Sequence, residues 1–293
     1  MTPTDVSRVV LITGCSSGIG QATARRLAGA GWRVYATARR LETLQPLEAA
    51  GCRTLPLDVG DEGSMQAAIE TITRECGGIG ALVNNAGYSQ SGPVELIGPA
   101  LVRRQFETNV FGPLRLTQLV LPGMRARRQG RIVNVGSMGG RLTFPGGGIY
   151  HGTKYALEAL SDALRFEVAG FGIRVVLVQP GLIRSSFTKA VSASLEGLGA
   201  GKPGPYGVFT AEVDRITRES YEKGPMASLT GTPEDVAAVI ERALTEREPK
   251  ARYRVARSAS FLMSLRALLP DSLWDAFLAR TYPRPGQRED GSA

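Results

Sequence analysis

Histidine is nearly absent from this chain, with His151 the only one in 293 residues. A His-Glu-x-x-His helix, a three-histidine zinc site and a two-Cys two-His finger each need more, so those metal chemistries are excluded. A Ser-His-Asp hydrolase would have to be built on that single imidazole. Cysteine is also scarce. Cys15, Cys52 and Cys76 are widely separated and form no C-x-x-C pair, which signals neither a disulfide framework nor a zinc ribbon and suits a reducing compartment. No apolar run approaches the ~18 residues of a membrane span. The opening MTPTDVSRVVLITG lacks a basic segment ahead of a long apolar stretch, so no secretory signal is expected. The expected location is cytoplasmic.

The residues present describe a folded chain. Apolar residues make up 43% and charged residues 21%, a globular balance. The length admits one or two domains, but no linker or internal repeat separates two cores. Glycine is abundant at 36 residues, which asks for tight turns or close backbone approaches. The net charge of +8 suggests an anionic partner: a nucleic acid, a membrane surface or a phosphorylated small molecule.

Short apolar runs alternate with helical patterns. Strands are expected at Val9–Thr13, Val34–Thr37, Ala81–Val83, Ile132–Val135 and Ile173–Val178, with weaker candidates at Thr54–Val59 and Tyr253–Val255. Helical spacing marks Gln21–Ala30, Ser64–Cys76 and Tyr155–Ala169. Runs of this kind suit strands buried on both faces, and the alternation predicts a doubly wound parallel α/β sheet, Rossmann-like, in one domain over residues 1–282. Residues 183–230 carry no strand signal and contain a Gly/Pro-rich insert at 199–207. They read as a lid over a ligand. Thr232 with Pro233 and Asp235 opens another helix. A C-terminal helical extension is expected at about 258–282, then a flexible tail at 283–293.

Thr13-Gly14-Cys15-Ser16-Ser17-Gly18-Ile19-Gly20 joins the first strand to the first helix, where glycines let a backbone approach a pyrophosphate and the helix end offers free N–H groups. A nucleoside site of the methyltransferase type is the competing reading. NAD sites place an acid about 20 residues further on, at the ribose 2′-hydroxyl. Here that stretch is Ala36-Thr37-Ala38-Arg39-Arg40, and Arg39 and Arg40 suit a 2′-phosphate, favouring NADP(H) over NAD(H). The alternative is a pair of surface arginines starting the next helix. Asp58, at the third strand's end, could reach an adenine amino group or cap the structure at Asp61–Ser64.

Tyr150 and Lys154 lie four apart and would share a helix face. A free Tyr titrates at about 10, and a nearby ammonium favours the phenolate, so the pair makes sense as an acid/base device. Ser137 ends the Ile132–Val135 strand, where a parallel sheet faces its ligand. On these motifs the chain resembles a compact, single-domain short-chain dehydrogenase/reductase, closest in look to its hydroxysteroid and retinol dehydrogenase members. T-G-x-x-x-G-x-G stands at Thr13–Gly20 and N-N-A-G at Asn84–Gly87. Ser137 is followed thirteen positions later by Tyr150-x-x-x-Lys154, Asn109 fills the family's helix position, and Pro180-Gly181 follows the sixth strand. The resemblance covers roughly residues 8–255.

It implies that Tyr150 exchanges the proton at the substrate oxygen, Ser137 orients that oxygen, Lys154 binds the nicotinamide ribose and lowers the Tyr pKa, and Asn109 holds a water. The implied cofactor contacts are Gly14, Ser16, Ser17, Gly18, Ile19, Gly20, Arg39, Arg40, Asp58, Val59, Asn85, Ala86, Gly87, Tyr150, Lys154, Pro180, Gly181, Ile183 and Ser185. Ser185 replaces the family's usual Thr. Pro113, four residues after Asn109, has no N–H for the Asn109 carbonyl, which would leave that carbonyl to a water or simply mark a kink. His151 reads as structural.

The implied reaction is hydride transfer between NADP(H) and a secondary alcohol or ketone. Apolar Leu182, Phe187, Phe209, Met226 and Met263 hint at a bulky lipophilic substrate. The resemblance also implies a homodimer or homotetramer through helices such as Tyr155–Ala169. A silent NADP(H)-binding sensor on the same fold is the alternative. Extended-branch epimerases have a different glycine spacing. Nucleic-acid binding is not expected, because the basic residues are dispersed and lack interleaved aromatics. The Phe261–Leu269 and Leu273–Leu278 stretches suit a peripheral membrane contact, a lid or a dimer surface.

Overall fold

The computed structural model describes residues 5–286 except Gly199 and Lys202. The expected flexible tail lies outside the described residues from position 287 onward. Seven strands form: β1 (Val9–Ile12), β2 (Arg33–Ala38), β3 (Arg53–Pro56), β4 (Ala81–Asn84), β5 (Gly130–Val135), β6 (Ile173–Pro180) and β7 (Arg252–Val255). They make one sheet in the order β3-β2-β1-β4-β5-β6-β7, and every adjacent pair is parallel. The order reverses between β1 and β4, and the crevice at such a switch point is where a doubly wound sheet binds its ligand.

The helices are α1 (Gly18–Gly29), α2 (Gln45–Glu48), α3 (Glu62–Cys76), α4 (Pro99–Phe106), α5 (Gly112–Ala126), α6 (Gly148–Ala169), α7 (Phe187–Gly197), α8 (Gly207–Glu222), α9 (Gly224–Ala227), α10 (Pro233–Thr245), α11 (Arg257–Leu268) and α12 (Asp271–Thr281). Alternate strand residues feed opposite cores. Val10, Ile12, Val34 and Val83 pack on Ala24 and Leu27 of α1 and Ile240 of α10. Val9, Leu11, Tyr35 and Leu82 pack on Ile72 of α3 and Leu116 of α5. Strands covered on both sides must be apolar throughout, which is why β1 reads VVLI.

Two of the boundary shifts place candidate site residues. β3 ends at Pro56, short of the expected Val59, so Asp58 and Val59 belong to the crevice. The helix expected from Tyr155 begins at Gly148, so Tyr150 and Lys154 lie inside it. Thr232 and Asp235 form the capping box at the start of α10.

A charged network seats α6. The Glu158 side chain is 7% exposed. It accepts from Gln179 Nε2 of β6 at 2.5 Å and from Arg252 Nε of β7 at 3.0 Å. Arg252 also reaches Asp162 on α6. Removing one partner of a buried ion pair strands the other charge. Arg252→Ala is expected to cost about 3 kcal/mol, read as a lower denaturant midpoint with unchanged slope. A midpoint equal to that of the natural protein would mean Glu158 finds a replacement partner.

Candidate active site

The turn from β1 to α1 is shaped by its glycines. Gly14 and Gly18 have φ of 71° and 57°, a region that side chains disfavour. A Cβ on Gly14 would come within 2.8 Å of Ala86 Cα, and one on Gly20 would overlap the Gly14 carbonyl oxygen. Ser17 gives no side-chain cap to α1, so the helix end keeps its N–H groups and positive dipole for an anion. Cys15 points away from the crevice, its thiol donating to the Ile12 carbonyl at 3.3 Å.

The turn is braced from β4. Asn85 Nδ2 donates to the Thr13 and Gly14 carbonyls at 2.8 and 3.0 Å, and Thr13 Oγ1 accepts the Asn85 and Ala86 N–H groups, each at 3.0 Å. Asn85 thus holds the glycine turn in shape.

One cleft of about 810 Å³ runs along the strand ends. It is lined by Gly14, Ser16, Ser17, Gly18, Ile19, Arg39, Asp58, Val59, Asn85, Ala86, Gly87, Ser137, Tyr150, Lys154, Pro180, Gly181, Ile183 and Ser185. Two of the expected cofactor contacts do not line it. Arg40 starts the short turn Leu41–Leu44, where its carbonyl accepts from Thr43. Gly20 sits beneath the turn as a packing residue. Arg39 is exposed at the cleft edge. Asp58 Oδ1 takes the Gly60 N–H at 2.9 Å, while the α3 cap is Asp61. The uncapped helix end, the glycine cradle and a cation at the edge fit a dinucleotide phosphate.

At the other end, Tyr150, Lys154 and Ser137 meet. Lys154 Nζ donates to the Val135 carbonyl at 2.9 Å and lies 5.8 Å from the Tyr150 ring centre. Burial pulls the Lys154 ammonium down to about 8. Burial pushes the Tyr150 hydroxyl up, and its hydrogen bond with Ser137 acts in the opposite direction. In this structure loss of water is the larger influence on Tyr150, and Ser137 opposes it. Asn109 does not line the cleft. It lies in a π-helical turn, Glu107–Phe111. Its side chain accepts the Tyr88 N–H at 3.1 Å and donates to the Tyr88 carbonyl and Thr153 Oγ1, each at 3.0 Å. The Asn109 amide thus fastens α6 to the segment after β4.

Helices α7 to α9 and the C-terminal helices contribute side chains to the cleft. Leu182, Phe187 and Met226 line it as expected. Phe209 instead packs with Val191, Leu195 and Val213 between α7 and α8, and Met263 packs with Met138 and Leu142 under α11. Sequence reading missed Tyr221, Phe277 and Tyr282, which also line the cleft. They come from α8, α12 and the residue after α12, and only the fold brings them to the strand ends. Among the described residues no helix is long and apolar enough to cross a membrane.

A switch-point cleft with a glycine turn at one end and a Tyr–Lys–Ser group at the other defines a nicotinamide-dependent class of oxidoreductase. A family model for short chain dehydrogenase matches residues 8–196. The chain is 35% identical to retinol dehydrogenase 16 of Rattus norvegicus over 95% of its length and 90% of that protein's. It is 34% identical to NADPH-dependent 3-dehydrocapnine reductase of Ornithobacterium rhinotracheale, covering 92% and 95%. A solved short-chain dehydrogenase from Streptomyces avermitilis superposes with a TM-score of 0.74 at 35% identity, covering 95% and 98%. The chain belongs to the short-chain dehydrogenase family and is an oxidoreductase acting on CH–OH or C=O groups.

Two outcomes follow from the geometry. Gly20→Ala is expected to weaken nicotinamide dinucleotide binding more than tenfold in a fluorescence titration, whereas Gly29→Ala, with open space around it, should bind normally and gain up to about 1 kcal/mol of stability. Equal binding by both variants would contradict the close-approach argument. His151 is held neutral, pulled from 6.5 to about 4 by burial. The unfolded chain takes up that proton first, so its contribution is complete above pH 6.5. It is lost at up to ~1.4 kcal/mol per pH unit as the pH falls toward 4. The stability difference between the natural protein and His151→Phe should shrink across that window; a flat difference would place the acid sensitivity elsewhere.

Proposed function

We propose that the protein transfers a hydride between NADP(H) and a bulky, lipophilic secondary alcohol or ketone. The observation that carries this reading is the single cleft with Arg39 at one end and Tyr150, Ser137 and Lys154 at the other. The nicotinamide, when bound, supplies or accepts the hydride. The chain's residues handle the oxygen and the proton. In reduction the Tyr150 hydroxyl gives its proton to the carbonyl oxygen, and in oxidation the phenolate takes it back. Ser137 fixes that oxygen beside Tyr150. Lys154, at about 8, stands near neutrality, holds the ribose and replenishes the proton. Asn109 acts through α6 by anchoring Tyr88 and Thr153.

NADP(H) preference is supported by Arg39, exposed beside Ser16 with no acid at the strand end. The name of the Ornithobacterium relative points the same way. An apolar substrate side is supported by Phe187, Val213, Met226, Leu262 and Phe277. Residues 183–230 act as its lid. The exposed Tyr155 and Phe166 of α6 support a homodimer or homotetramer through that helix.

The test is a panel of ketones and alcohols with NADPH and NADH. Tyr150→Phe should lower turnover by about 10³ with cofactor binding intact. Arg39→Ala should raise KM for NADPH about tenfold, of the order expected for one charge-assisted contact, and leave NADH unaffected. Faster turnover with NADH by the natural protein would overturn the NADP assignment. Bound cofactor with no turnover of any carbonyl would make the protein a silent binder.

A further inference from the structure

The chain's only imidazole sits next to Tyr150 in sequence, and its bonds run toward Ser137. His151 is buried. Its Nδ1–H donates to the Gly139 carbonyl at 3.0 Å, and its Nε2 accepts the Phe144 N–H at 3.4 Å. This pair of partners fixes one neutral tautomer. Gly139 also donates its own N–H to Ser137 Oγ at 3.0 Å, so one residue links the imidazole to the Ser137 hydroxyl. Because Ser137 Oγ accepts there, its O–H is left to donate toward Tyr150. The ring has no spare room. A Cβ on Gly139 would overlap Nδ1, and one on Gly147 would come within 2.6 Å of Nε2. Its edge meets the Tyr150 and Phe144 rings at centre distances of 5.6 and 6.2 Å.

We propose that His151 is a positioning residue, clamping the loop from Gly139 to Phe144 onto α6 so that Ser137 stays aligned with Tyr150. The proposal rests on the hydride-transfer reading of the site. The groups facing Tyr150 are Ser137, Lys154 of α6 and Tyr221 of α8, and no charged group couples to His151.

The test uses three variants of the full chain. His151→Asn keeps an N–H near the Nδ1 position, His151→Gln reaches only toward Phe144, and His151→Phe keeps neither bond. His151→Phe should lower kcat tenfold or more, a size typical of a small misplacement of reacting groups. KM for the cofactor should not change, and the Tyr150 limb of the kcat/KM pH profile should move upward. Asn should restore rate and profile, and Gln should not. Hydrogen exchange at Gly139, Gly140 and Phe144 should accelerate about tenfold in the Phe variant, with β5 unaffected. Unchanged rate, profile and loop exchange in His151→Phe would overturn the proposal, as would rescue by Gln and not by Asn. If the Phe variant does not fold, the Asn and Gln pair decides. A natural protein without turnover on any carbonyl would overturn the hydride-transfer reading alone, and the loop exchange would still judge His151.

Discussion

The site depends on how the first two turns of α6 are pinned against the strand ends. Lys154 bonded to the Val135 carbonyl is the central tie, because an amine removed from water has to find an acceptor. Thr153 is held by Asn109 and His151 by Gly139, so three residues within two turns each reach a different element. Lower on the same helix, Glu158 meets Gln179 and Arg252. Tyr150 has little freedom as a result, and its chemistry is set by the surroundings that α6 brings to it.

Much of this was legible in the sequence, for physical reasons. Strands buried on both faces must be apolar in unbroken runs, so β1, β5 and β6 were readable. The glycine turn was readable because Gly14 needs positive φ and Gly20 needs the missing Cβ. The Tyr150–Lys154 pair was readable from its four-residue step. What stayed hidden depends on long-range packing. Nothing local distinguishes Phe209, buried between α7 and α8, from Phe187 on the cleft wall. Arg39 and Arg40 are identical side chains in adjacent positions, and only the turn after β2 decides which one faces the cleft. Tyr221 and Tyr282 carry no motif at all. Spacing reports a neighbour's charge but not the loss of water around Tyr150.

The apolar side of the cleft is assembled from parts far apart in sequence. α8 contributes Val213 and Tyr221, while the C-terminal segment contributes Leu262, Phe277 and Tyr282. Phe144 joins them to the strand-end loop, with Trp274 at a ring-centre distance of 6.2 Å. The cofactor side is built from short turns held by backbone hydrogen bonds. Side chains on helices can be exchanged with little effect on the sheet, so the two halves of the cleft can vary independently.

Cys15 has a separate consequence. It sits in the middle of the turn that presents its backbone to an anion, where a reactive thiolate would be exposed to every oxidant and electrophile entering the cleft. Its sulfur is instead turned into the core, and burial pushes the thiol up to about 12. Cys52 is similarly raised to about 11. The sulfur of Cys15 behaves as a small hydrophobe, so the glycine turn should keep its shape in peroxide or alkylating reagents that disable enzymes with an exposed thiol at the nucleotide.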